Sequence, residues 1–124
     1  MKGREEKRGW KIDEYTAPNG EKPVLTFLLG LKGKHKRQAI ALLQLLAERG
    51  NTLREPQSKV VETGIFELRG HQVRIFYTYR PGQRIVLLDG TVKKQDEILL
   101  HVLRRVRAYR QALEDAERKA AGGS

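Results

Sequence analysis

Residues 58–92 constrain this chain most. Three runs, SKVVETGIFELR (58–69), QVRIFYTY (72–79) and RIVLLDGTV (84–92), are rich in β-branched and aromatic residues, and Gly70-His71 and Pro81-Gly82 separate them at hairpin distances. The pattern predicts three antiparallel strands in meander order. Alternation in the second run sets Val73, Ile75 and Tyr77 on one face and Arg74, Phe76 and Thr78 on the other, so a cation shares a face with an aromatic ring.

Helical and strand signals flank this block. Trp10–Thr16 alternates apolar and charged residues and reads as a short strand, followed by the turn Ala17-Pro18-Asn19-Gly20. Pro23 suits the first turn of a short helix that ends near Gly33, because its missing N–H would be unpaired there anyway. From Lys34 a second helix places Ile40, Leu43 and Leu46 on one face with Ala39, Leu42 and Ala47 beside it, and stops at Gly50. Residues 23–49 therefore read as a helical hairpin, and Pro56 marks the loop after it. Residues 96–119 read as a long helix in which Leu99, Val102 or Leu103, Val106, Tyr109 or Arg110, and Leu113 recur at helical spacing. At 124 residues the expectation is one domain over 10–119, with a polar arm at 1–9 and a small-residue tail at 120–124.

Charge narrows the partners. Twenty-five Lys and Arg against fifteen Asp and Glu give +10, a field suited to nucleic acid, an anionic membrane or an acidic protein. On the sheet, Lys59, Arg69, Arg74, Arg80, Arg84, Lys93 and Lys94 outnumber Glu62, Glu67 and Asp89. Cysteine is absent, which excludes disulfides, thiolate metal sites and cysteine nucleophiles, and His35, His71 and His101 lack the spacing of a metal pair. The phosphate-loop, dinucleotide, zincin and serine-elbow motifs are missing as well. With no cofactor expected, metal-free phosphodiester chemistry remains open: cations would stabilise the phosphorane, and another group would accept the 2′-OH proton. No long apolar run is present, so a cytoplasmic protein away from membranes is expected.

The stretch from Leu53 to Lys94 resembles the central sheet of RelE/HigB-type toxins, especially their phage-derived HigB-like branch. The resemblance is carried by Pro56, Lys59, Gly64, Phe66 before Glu67-Leu68-Arg69, Arg74-Ile75-Phe76-Tyr77, Ile85 to Leu88, and Lys93-Lys94, and it extends over about residues 10–112. It implies an α+β domain: a curved antiparallel sheet of about four strands, packed with an N-terminal helical hairpin and a C-terminal helix. It also implies the toxin of a toxin–antitoxin pair, a metal-independent endoribonuclease that cuts mRNA in the ribosomal A site, with a cognate antitoxin, acidic or helix-turn-helix, as partner. By position, Arg74 looks like the arginine that holds the scissile phosphate, with Lys94 and Arg69 beside it in catalysis, and Lys59, Lys93, Tyr77, Tyr79 and His71 contacting RNA. Glu67 departs from the lysine some relatives carry on that strand, and the tyrosine or histidine several place soon after the basic pair is missing. His71, His101, Glu67 and Tyr79 are the candidate proton acceptors. The alternative is a non-catalytic basic RNA-binding or inhibitory module with the same fold.

Overall fold

The computed structural model describes residues 9–94 and 99–122, and these form an α+β domain. In chain order the elements are β1 (Lys11–Glu14), α1 (Pro23–Gly30), α2 (Gly33–Arg49), a 3₁₀ turn (Gly50–Thr52), β2 (Ser58–Glu62), β3 (Ile65–Arg69), β4 (Val73–Arg80), β5 (Arg84–Val92) and α3 (Leu100–Gly122). The sheet has five strands in the order β1-β5-β4-β3-β2. Two expectations change here. The run 58–69 is two strands, because Gly64 takes φ +81° and Thr63-Gly64 turns the chain so that Glu62 pairs with Ile65. The sheet is also not wholly antiparallel, since β1 lies parallel to β5 with Ile12 opposite Ile85.

Helices cover both faces. Beneath α1 and α2 lie Leu68, Val73, Ile75, Tyr77, Ile85 and Leu87, packed with Val24, Ala39, Leu42 and Leu46. Beneath α3 lie Ile65, Phe76, Val86 and Leu88, packed with Leu99, Val102 and Val106. Alternation in β4 follows the expected split, but Phe76 is a core residue under α3 and no part of an open surface. A bulge between Phe76 and Tyr77 leaves Leu88 without a direct partner on β4. As a result the consecutive residues Leu88 and Asp89 both meet α3, Leu88 through the core and Asp89 by accepting a 2.9 Å hydrogen bond from Arg105 Nε. On α2 the buried stripe is Ala39, Leu42 and Leu46, whereas Ile40 is half exposed. The packed face is therefore rotated by about one position from the one the apolar periodicity suggested.

Two glycines are required by neighbours. Gly50 ends α2 at φ +50°, and the Trp10 indole occupies the space where its Cβ would stand. Gly90 leaves the gap on β5 that receives the Phe27 ring of α1. No described helix is long and apolar enough to cross a membrane.

Candidate nucleic-acid interface

One end of the sheet gathers the start of β2, the end of β3, the start of β4 and the end of β5. Register places Lys59 opposite Glu67, and Arg69 opposite Arg74, on the face that α3 occupies further along β5. Two arginines directly opposite one another repel. Glu67 offsets this: its Oε1 is 3.4 Å from Arg69 Nε and its Oε2 is 3.5 Å from Arg74 Nε.

Arg74 is the unusual member, at 8% exposure. Its Nη1 donates to the Gly70 carbonyl at 2.7 Å and to the Val73 carbonyl at 3.1 Å, while the buried Nε has no hydrogen-bond partner among the described residues. Burial lowers its pKa, with the Arg69 charge acting in the same direction and Glu67 opposing. Arg69, His71 and Arg74, with Pro56 and Gln57, line an open concavity of about 550 Å³. Arg69 also donates its backbone N–H to the Gln57 carbonyl at 2.8 Å, which fixes the loop that forms the far wall.

The turn between β3 and β4 is held from α2. Gln38 Oε1 accepts from the backbone N–H groups of Gln72 at 3.1 Å and Val73 at 3.2 Å, and His35 Nε2 pairs with Gln72 Oε1 at 2.8 Å. Gly70 is needed here because a Cβ would stand 2.9 Å from Gln38 Oε1. These three polar residues position the carbonyls that hold Arg74. No sequence motif marked them, since a glutamine on a helix and a histidine near its start carry no signal until the turn is brought against them.

The other expected residues fall in different places. Lys93 joins this end, its N–H donating to the Gln72 carbonyl at 2.7 Å, and exposed Lys94 follows it. Lys59 is exposed and His71 projects from the β3–β4 turn. Tyr77 is corrected: it has no exposed surface, and its hydroxyl shares a 2.7 Å hydrogen bond with Ser58 Oγ in the core, so it cannot stack on a base. Tyr79 lies on the opposite sheet face from Arg74, and burial raises its phenol well above the ordinary value, which makes it a poor proton acceptor. His101 is exposed at the start of α3, and the positions after the basic pair, 95–98, lie outside the described residues, as do 1–8 of the expected arm and 123–124 of the tail. Of the α3 arginines, Arg105 pairs with Asp89, Arg107 with Glu62 and Arg110 with Glu114.

Fold and site together define a small basic α+β protein that carries an arginine-walled concavity at one end of its sheet. The chain belongs to the family described as phage derived protein Gp49-like (DUF891), which matches residues 26–120, from α1 to the last turns of α3. Among solved structures, a chain of the toxin-antitoxin complex RelBE2 from Mycobacterium tuberculosis is similar at 18% identity and a TM-score of 0.45, covering 69% of this chain and 100% of that one. No curated protein matches.

Proposed function

We propose that this protein is the toxin of a toxin–antitoxin pair and acts as a ribosome-dependent, metal-free mRNA endonuclease. The observation that carries the reading is Arg74, a guanidinium held on the wall of the concavity with its Nε unpaired. Arg74 and Arg69 bind the oxygens of the scissile phosphate, and their contacts strengthen as charge grows on those oxygens. The 2′-oxygen attacks the adjacent phosphorus, its proton passes to Glu67 or His71, and the P–O5′ bond breaks. The products are a 2′,3′-cyclic phosphate and a 5′-hydroxyl. Lys59, Lys93 and Lys94 bind neighbouring phosphates, and an acidic or helix-turn-helix antitoxin covers the same basic face. The protein works where ribosomes are, in the cytoplasm.

One observation favours the second reading, a basic RNA-binding module without catalysis: Glu67 already lies within 3.5 Å of both arginines, where the phosphate would sit. Induced expression with 5′-end mapping of cellular mRNA separates the two. The enzyme generates new 5′ ends on translated messages, and the binding module generates none. On programmed ribosomes, Arg74→Lys should lower the single-turnover rate by about 10²–10³ through loss of the two-pronged phosphate contact, while keeping the charge. A folded Arg74→Lys protein cutting at the wild-type rate would move the site elsewhere.

A further inference from the structure

Phe66 and Tyr79 lie on the sheet face opposite Arg74, and they line a second groove of about 360 Å³, within the size range of small-ligand sites. The Phe66 ring stacks on Tyr77 at 5.5 Å and 22°, and Tyr79 meets Phe66 edge-on at 4.9 Å and 75°. Tyr77 is wholly buried, whereas Phe66 and Tyr79 are half-buried and reach the groove. The aromatic stack therefore ends at open space. Arg54 and Lys59 form a cationic rim, and Arg54 is fixed there because its Nη1 donates to the Asn51 carbonyl at 2.8 Å.

The groove and the Arg74 concavity are neighbours in the chain. Arg54, Glu55, Ser58 and Lys59 line the groove, while Pro56 and Gln57, between them, line the concavity. A strand draped over this one segment would meet both.

We propose that the groove is a nucleobase subsite for single-stranded RNA, an inference that rests on the RNA-binding part of the function above. A flat base continues the Tyr77–Phe66 stack, Tyr79 forms the side wall, and Arg54 and Lys59 hold the attached phosphate. The occupant follows from two complementarities: a ring face open to another ring, and cations beside it for the phosphate. Glu55 is the one discordant charge, and its carboxylate suits an exocyclic amine on the base. Selection would be by ring shape and backbone charge more than by base identity.

The test uses the full chain and short oligoribonucleotides carrying 2-aminopurine at successive positions, read by fluorescence quenching, with the same strands made abasic there. Quenching at one position and weaker binding of the abasic strand are expected. Phe66→Leu, which keeps apolar packing on Tyr77, should weaken the intact strand by roughly 5- to 150-fold and leave the abasic strand unchanged. Phe66→Tyr should keep the quenching. Arg54→Gln should weaken both strands alike. Equal affinity for intact and abasic strands, or full quenching by folded Phe66→Leu, would overturn the subsite. Cleavage by the wild type without quenching removes the subsite and leaves the proposed endonuclease standing. Quenching without cleavage does the reverse.

Discussion

A carboxylate 3.4 to 3.5 Å from two guanidiniums, as Glu67 is from Arg69 and Arg74, competes with any phosphate for the same donors. Glu67→Gln should therefore tighten RNA binding by about 2- to 5-fold, in keeping with the small worth of a partly exposed ion pair. The same variant reports on the chemistry. If Glu67 takes the 2′-OH proton, single-turnover cleavage falls although binding improves; if His71 takes it, the rate holds. Binding titrations at fixed salt beside cleavage on programmed ribosomes give both numbers, and weaker binding by Glu67→Gln would refute the competition. Arg74 itself is more deeply set than a strand-surface arginine. Truncation to alanine would leave the Gly70 carbonyl without its 2.7 Å donor, at a stability cost of about 1–3 kcal/mol, which is why the lysine variant is the cleaner probe of function. The residue type and its strand face were legible in RIFY, while its burial and its two carbonyl partners were not, because both depend on the turn that α2 holds in place.

At the level of elements, two contacts set how helices meet the sheet. Phe27 of α1 fills the space above Gly90 of β5, so Gly90→Ala drives a methyl into the ring. Overpacking of this kind should cost about 1–3 kcal/mol, and Phe27→Leu should recover part of that cost in the double variant. Denaturant midpoints of the two singles and the double check it, and simple additivity would show that the pair does not touch. At the far end, Glu117 of α3 accepts from Arg80 Nε and Arg84 Nη2, each at 2.8 Å. Burial alone would raise the Glu117 carboxyl, but the bonds from Arg84 and Arg80 outweigh it and hold its pKa below the ordinary 4.5. A depressed folded value means the stabilisation is complete above the unfolded pKa and is lost as pH falls through the folded one. Melting temperature should thus drop more steeply from pH 4.5 to about pH 3 in the wild type than in Glu117→Gln; parallel curves would dismiss the contribution.

For the whole molecule, a formal charge of +10 predicts that RNA or ribosome binding weakens steeply with salt, as Lys and Arg contacts release counterions from phosphate. Affinity unchanged between about 50 and 200 mM salt would point to a neutral docking surface instead. The charge, the α+β class, the three strong β segments, the buried face of α3 and the clustering of Arg69, Arg74 and Lys93-Lys94 toward one end of the sheet could all be read along the chain, because each follows from local periodicity and turn chemistry. The split of 58–69 at Gly64 was hidden by apolar residues that continue on both sides of the turn. Tyr77 looked like a surface ring because alternation gives faces but not which face is covered; with helices on both faces, even and odd positions of β4 are alike buried. The parallel placement of β1, the grip of Gln38 on the β3–β4 turn and the open end of the Phe66 stack all join residues far apart in sequence, and pairings of that range are decided only when the packed chain brings them together.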